Sequence, residues 1–524
     1  MKLLSRMFAL SVTLLMLISF AGALAIDDGF YSVYTYNYDY WEEIRESPDA
    51  YKVKTVLYGS TLGLDVNFSA PEGLFVQGND IYVCDTGNNR IVHIVCEGGE
   101  YKLAAENAII SEIKNIENAI EDAPARYDAS GDYVRVYSNK FSSPTDCAVD
   151  EEGNIYVSDK GNNRVVKVDR DLNFLMVFDK PEDASFDAGS FNPTKIAVDV
   201  AGRVYVLAEN VNKGLMKYES NGKFTGYIGA NRVTMSTFEY IWKYFFLSDE
   251  QRSTTEKTVP TRYENIYMDP QGFIYATTTN FEEYDLKWDN AKPIRRLNGI
   301  GDDILIKDDR YPPIGDYTWV EGGDGDHGPS KFVDITVLEN DVYVAFDKTR
   351  GRLFGYDSQG VMLWAFGAKG QYEGAFNLPS AMDHIGRDLI CLDQRDVSIT
   401  VFTPTEYGNL VFDAIDAYSK GDYSSEPWEL VLKFNANYNM AYRGIGRALL
   451  RQGKYTEAMD YFKMAHDQQN YGRAFRLYRK EWVEKNIWWV MTILGVLIVV
   501  WLGRRIIKNM KMEVAAYERD HVAK

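Results

Sequence analysis

The stretches YVCDTGNNR (Tyr82–Arg90) and YVSDKGNNR (Tyr156–Arg164) set the same acidic-x-Gly-Asn-Asn-Arg turn between two β-rich runs, twice in one chain. Gly and Asn tolerate positive φ, and an Asp side chain can accept hydrogen bonds from backbone amides just ahead of it. Asp85 and Asp159 therefore read most simply as turn-formers. A calcium site built from such a turn would require more carboxylates converging in one loop.

Widening the window brings out a longer repeat. FSAPEGLFVQGNDIYVCDTGNNRIVHI from Phe68 aligns with FSSPTDCAVDEEGNIYVSDKGNNRVVKVDRDLNFLMVF from Phe141, and with FNPTKIAVDVAGRVYVLAENVNKGLMKYESNGKFTGYIG from Phe191. Weaker copies begin at Arg262, Lys331 and Phe376. Each copy reads Pro or a substitute, an apolar strand, a Gly-containing turn, an Ile/Val-Tyr-Val strand, a polar turn and a third strand. Repeated four-strand units of this kind are the pattern of a β-propeller. The repeats resemble NHL repeats, and that resemblance implies a mainly β, six-bladed NHL-like propeller. AYKVKTVLYG (Ala50–Gly59) resembles the fourth strand of a repeat and precedes the first copy. It is expected to join the last blade and close the ring, so that no sheet edge stays open around the circle.

The two ends of the chain differ from this body. Residues 1–25 carry Lys2 and Arg6, an apolar run and Ala23-Leu24-Ala25, which reads as a secretory signal peptide. Residues 26–49 form an N-terminal extension, 50–405 the propeller, and 406–486 a helical neck. In NMAYRGIGRALLRQGKYTEAMDYFKMAHDQQNY (Asn439–Tyr471), Tyr442, Ile445, Gly446, Leu449, Gly453, Ala458, Phe462 and Ala465 fall where a tetratricopeptide repeat places its packing residues. That resemblance implies a small α-helical neck that is either a spacer or a holder of peptides, with Tyr442, Arg443 and Arg447 as the partner-contacting candidates. Residues 487–503 (IWWVMTILGVLIVVWLG) carry no charge and are flanked by Trp488, Trp489 and Trp501. At 1.5 Å per residue the segment just crosses a hydrocarbon core of about 30 Å. Arg504, Arg505, Lys508 and Lys511 follow in the 504–524 tail, so the positive-inside rule puts the tail in the cytoplasm and the propeller outside the cell membrane. The leader, anchor and short tail have a bacterial cast.

Composition limits the partners. Among 524 residues the formal net charge is −19, and an acidic surface repels the phosphates that supply most nucleic-acid affinity. Nucleic acid is therefore excluded as a partner. Cys84, Cys96, Cys147 and Cys391 show no CxxC spacing and read as core residues. Two insertions look helix-prone: residues 101–123, with Ile110, Ile113, Ile116 and Ile120 at helical spacing, and the aromatic-rich 234–253.

Chemistry is sparse. No Gly-x-Ser-x-Gly elbow and no His-Glu-x-x-His helix occurs, and His93, His327 and His384 sit in different registers of their copies. GGDGDHG (Gly322–Gly328) lacks the remaining ligands of a calcium loop and reads as a flexible loop. No catalytic residue, metal site or cofactor is assigned. Ligands of propellers usually meet the residues that open the innermost strands. Aligning the copies gives Glu72, Thr145, Thr194, Glu264, Val333 and Ser380, followed one position on by Gly73, Asp146, Lys195, Asn265, Asp334 and Ala381. The ligand-binding candidates are Glu72, Thr145, Asp146, Thr194, Lys195, Glu264, Asn265, Asp334 and Ser380. This polar, mildly acidic mouth suits a cation, a hydroxyl-rich ligand such as a glycan, or a basic protein loop. The expected function is a membrane-anchored extracytoplasmic binding or scaffolding protein that serves a membrane protein complex or an extracellular solute, as an accessory to membrane transport or envelope assembly. The alternative is a calcium- or zinc-dependent hydrolase or lyase using Glu72, Asp146, Glu264 and Asp334 as ligands.

Overall fold

A computed structural model describes residues 34–41, 43–116, 138–186, 189–209, 211–230, 262–282, 285–286, 291–307, 312–316 and 328–522. The signal-peptide segment, residues 234–253, His327 and most of GGDGDHG lie outside the described residues. The chain divides into two units, one built from residues up to Tyr38 and Glu43–Phe412, the other from Asp39–Glu42 and the residues from Asp413 onward.

The alternating apolar runs of the first unit fold as the repeats require, into a six-bladed β-propeller with NHL repeats. The innermost strands are Gly73–Gln77, Pro144–Val149, Pro193–Val198, Asn265–Met268, Phe332–Val337 and Pro379–Ile385, and each neighbours the next around a ring. Blades two and three are four-stranded antiparallel sheets, and three strands of blade four are described. Adjacent blades bury apolar layers between them. Cys84, Ile91, Val157 and Val166 share one such layer, and Tyr156, Phe178, Val206 and Met216 share the next. All four cysteines are free thiols and buried, as small apolar residues.

The ring closes through the segment the sequence singles out. Tyr51–Tyr58 pairs antiparallel with Ser398–Pro404, from Tyr58↔Ser398 to Tyr51↔Pro404, as the outer strand of blade six. Two strands of the N-terminal extension join the propeller unit. Thr35–Tyr38 pairs with Met362–Phe366 and carries Ile44–Glu46 outside it, which makes blade five six-stranded. Asp316, 2% exposed, holds this added strand by accepting hydrogen bonds from Tyr36 Oη (2.7 Å) and Tyr38 Oη (2.5 Å) beside Arg352.

One expectation fails. Residues 101–116 are not helical: Glu100–Leu103 and Ile109–Ile110 are strands that pair with Arg90–Glu97. Ile110, Ile113 and Ile116 are all buried, but in the layer between blades one and two. The backbone amides of Ile113 and Lys114 are satisfied across the gap, by Asn139 O (2.7 Å) and Leu172 O (2.8 Å), rather than along a helix. β-branched side chains suit that extended path. Residues 117–123 lie outside the described residues.

The opening motif explains itself in three dimensions. Asp85 and Asp159 close their turns, and they also reach back about one strand length. Asp85 Oδ1 accepts from Ser69 N at 2.7 Å and Asp159 Oδ1 from Ser142 N at 2.7 Å, each in the loop that precedes its own inner strand. Their second oxygens accept from Asn88 and Arg90 in the first copy, and from Asn162 and Arg164 in the second. Those arginines donate onward to Val66 O and Ser138 O. Asn89 and Asn163 take positive φ, at 54° and 55°. Gly87 and Gly161 press against Ser69 and Ser142, whose backbone oxygens would lie 2.7 Å from an added Cβ.

The helices α1 (Glu406–Ser419), α2 (Glu426–Phe434), α3 (Asn439–Arg451), α4 (Tyr455–Met464) and α5 (Gln468–Val522) complete the chain. In the second unit, α3 packs between α2 and α4 at glycines. A Cβ on Gly444 would meet the Trp428 ring at 2.5 Å, and one on Gly446 the Phe462 ring at 2.7 Å. α5 is one continuous 55-residue helix containing an 18-residue window of mean hydropathy 2.0, none of it buried in the protein. It is the one long apolar helix of this C-terminal region.

Asp159→Ala is expected to lower stability by about 3–5 kcal/mol, because it removes the buried carboxylate that accepts from Arg164 Nε, a guanidinium only 1% exposed. Asp85→Ala should cost less, since the Arg90 side chain is 12% exposed and water can reach it. Denaturant titration of the two variants against the parent protein checks both the size and the order.

Candidate functional site

The inner strands of all six blades contribute residues to an axial cavity of about 340 Å³ that runs along them. Of the nine mouth residues singled out in the sequence, Asp146, Lys195, Asn265 and Asp334 line it. The cavity continues along the strands to the hairpin turns that end them, through Asp150–Glu152, Val198–Val200 and Asp269–Pro270. Its reach is thus toward the end opposite the strand openings on which the sequence reading concentrated.

Glu72, Thr145, Thr194, Glu264 and Ser380, each one position earlier, do not line it, and they are engaged elsewhere. Thr145 Oγ1 lies 3.2 Å from Ser158 Oγ and donates to Thr194 O at 3.0 Å. Thr194 Oγ1 donates to Leu207 O, and Ser380 Oγ to Leu392 O, both at 3.3 Å. Glu264 accepts from Thr279 at 3.0 Å and lies 3.6 Å from Lys348 Nζ, while Glu72 accepts from Gln394 at 3.4 Å. A one-residue step along a strand turns the side chain to the other face, which is why the two rings part company.

The lining carboxylates join neighbouring blades. Asp146 Oδ2 accepts from Ile196 N of the next inner strand at 2.9 Å. Asp334 Oδ2 accepts from Met382 N at 2.7 Å, and its Oδ1 from Ile335 N at 2.7 Å and from the Asn265 amide. Asp383 Oδ2 accepts from Val76 N at 2.8 Å and carries the same device from blade six to blade one. The alignment ring missed Asp383 because its column in blade six is Ala381. Counting two further along the strand, to the next residue on that face, finds it. Gly73 stands where blade one crosses closest to blade two: an added Cβ would lie 2.5 Å from Thr145 O.

Lys195 is the cation among these groups. Its Nζ stands 3.9 Å from Asp146 Oδ1, and its side chain is 13% exposed. Burial pushes the Asp146 carboxyl up to about 6 and the Asp334 carboxyl up to about 7, with Lys195 and the backbone donors pulling each back only in part. Burial lowers the Lys195 ammonium, but Asp146 and Asp334 more than offset this and hold it above its ordinary range.

Among the described residues no three His, Cys, Asp or Glu side chains are grouped so as to hold an ion. Of the four carboxylates of the hydrolase alternative, Asp146 and Asp334 line the cavity and Glu72 and Glu264 do not. His93 stacks on Tyr82 at 4.4 Å and meets Asp80 at 2.6 Å. His384 Nδ1 lies 2.7 Å from Thr336 Oγ1, which donates to Asp383 Oδ1 at 3.0 Å. In the second unit, Tyr442 Oη donates to Ala436 O at 2.9 Å, Arg443 pairs with Asp467 at 3.3 Å, and the Arg447 guanidinium lies 5.9 Å from the Tyr418 ring centroid. All three neck candidates thus have neighbours within their own unit.

The NHL repeat family model matches residues 68–94 and 141–168, the two stretches that carry Asp85 and Asp159. No curated protein sequence matches the chain. Among solved structures it is similar to virginiamycin B lyase from Staphylococcus aureus, at 12% identity over 67% of this chain and 99% of that one, with a TM-score of 0.35. It is also similar to a protein of unknown function from Bacteroides thetaiotaomicron (10%, 72% of this chain and 77% of that one, 0.38). Hydrazine synthase from Kuenenia stuttgartiensis is a third (11%, 71% and 95%, 0.37). Likeness at this level carries nothing about chemistry.

The two raised carboxyls make stability depend on pH in a defined direction. An ordinary Asp loses its proton near 3.9, so between about pH 4 and 7 the folded chain holds protons that the unfolded chain has released. Stability therefore falls as pH rises through this window. From pH 5.5 to 8 the Asp334 contribution alone is a loss of about 2 kcal/mol. Melting profiles should show this fall, and Asp334→Asn should flatten it; an equal slope in that variant would assign the effect to the other carboxyls that burial raises, Asp146, Asp159 and Asp347.

Proposed function

We propose that this protein is a membrane-anchored binding and scaffolding protein, which holds its NHL-type propeller outside the cytoplasmic face and presents it to a membrane protein complex. The observation that carries the reading is α5, whose apolar window is wholly unburied and is followed directly by Arg504, Arg505, Lys508 and Lys511. Among the described residues this apolar window has no partner that buries it, and a helix of this composition suits lipid as its solvent. The axial carboxylates support a structural part in this reading, because Asp146, Asp334 and Asp383 each accept from a backbone N–H of a neighbouring blade. The tetratricopeptide-like helices between propeller and span extend the surface available to a partner, and an accessory role in membrane transport or envelope assembly suits such an arrangement.

Two measurements test this reading. Protease added to intact cells or right-side-out vesicles should degrade the propeller and spare an epitope fused after Lys524; the reverse pattern would invert the topology. Cross-linking before mild detergent extraction should recover another membrane component in stable stoichiometry. Recovery of the chain alone would overturn the scaffold reading.

A further inference from the structure

The axial cavity holds a polar pair that its own surroundings leave incomplete. Lys195 Nζ has no hydrogen-bond acceptor among the described residues, and the nearest carboxylate oxygen, Asp146 Oδ1, is at 3.9 Å, too far for a direct hydrogen bond. Asp146 anchors the neighbouring strand with its other oxygen, which leaves Oδ1 turned toward the ammonium. An ammonium that opens onto this cavity takes its acceptor from what fills it, water or a solute oxygen, and the gap between these two groups has room for one such oxygen.

The geometry specifies what kind of oxygen. An atom about 2.8 Å from both Nζ and Oδ1 must accept from the ammonium and donate to the carboxylate, which a hydroxyl does at a single atom. An added cation would crowd Lys195. A bare anion would face Asp146, Asp334 and Asp383. A neutral hydroxyl brings no uncompensated charge into a place where charge is expensive. Of the apolar residues that border the cavity, Val76, Val198 and Met268 are partly exposed and can meet the C–H face of a carbon ring, whereas Leu74, Ile266 and Met382 are buried. At about 340 Å³ the cavity lies at the small end of ligand sites.

We propose that the axial cavity is a binding site for a small neutral polyhydroxyl compound of the monosaccharide class, with one hydroxyl bridging Lys195 and Asp146. The site is independent of the protein-partner reading: it concerns a solute held inside the ring, and a chain without a membrane partner would bind it equally.

The test uses the full-length chain in a detergent without a sugar headgroup. Glucose, galactose and mannose are titrated in parallel with glutamate and putrescine, and followed by calorimetry and by saturation-transfer NMR. At least one hexose should bind, with neither charged compound competing. Lys195→Gln and Asp146→Asn should each weaken that binding at least tenfold. Val198→Phe, a partly exposed wall position, should block it sterically and keeps the test open if the axial variants fold poorly. Preferential binding of glutamate or putrescine would overturn the proposal, as would hexose binding unchanged in folded variants. The absence of binding by all three hexoses would overturn it equally.

Discussion

Ring closure is the constraint on which the rest depends. Six blades close only if one sheet is completed by a strand from the far end of the chain, and here Tyr51–Tyr58 is hydrogen-bonded to Ser398–Pro404 across almost the whole propeller sequence. Without that pairing, blade six exposes an edge and the apolar layer shared by blades six and one opens to water. Leu57, Leu74, Ile81, Ile390 and Val401 share that layer. The same long-range pairing brings the inner strands into a circle, so the axial cavity is a product of closure and belongs to no single repeat.

Within the circle, carboxylates act as fasteners at two radii. At the outer turns, Asp85 and Asp159 hold the loop that leads into their own blade; at the axis, Asp146, Asp334 and Asp383 hold the strand of the next one. Acceptor groups suit this role because the first backbone N–H groups of inner strands lack ladder partners on the axial side, and a buried N–H without an acceptor is costly. The cost is a concentration of buried negative charge, only partly offset by Lys195, and it appears as the raised proton affinity of Asp146 and Asp334.

The C-terminal region follows a different logic. Helices α2, α3 and α4 approach closely because Gly444 and Gly446 leave room for the Trp428 and Phe462 rings, which makes the small residues of the repeat pattern a packing requirement. α5 then runs on as one helix through an apolar stretch that no described residue buries. Helix formation satisfies its backbone internally, which is the condition for leaving its side chains to lipid.

Much of this was legible in the chain. Period-two alternation and the repeated Asp-x-Gly-Asn-Asn-Arg turn mark out the strands and the blade unit, and aligning its six copies gives the propeller, because these are local properties of the backbone and its side-chain register. The uncharged run from Ile487 to Gly503 likewise declares a long apolar helix, since length and hydropathy are sequence properties. What alignment could not decide is where side chains meet. It placed Asp146, Lys195, Asn265 and Asp334 in one column but could not tell that this column faces the cavity while Thr145, Thr194 and Glu264 turn away. Blade six shifts its carboxylate by two residues to Asp383, and residues 101–116 exchange a helical spacing for an extended path, because Ile110, Ile113 and Ile116 fill a gap that exists only once two blades stand side by side. Local rules set the elements; which groups end up 3.9 Å apart at an axis is decided by six separate strands converging, and that is a property of tertiary structure alone.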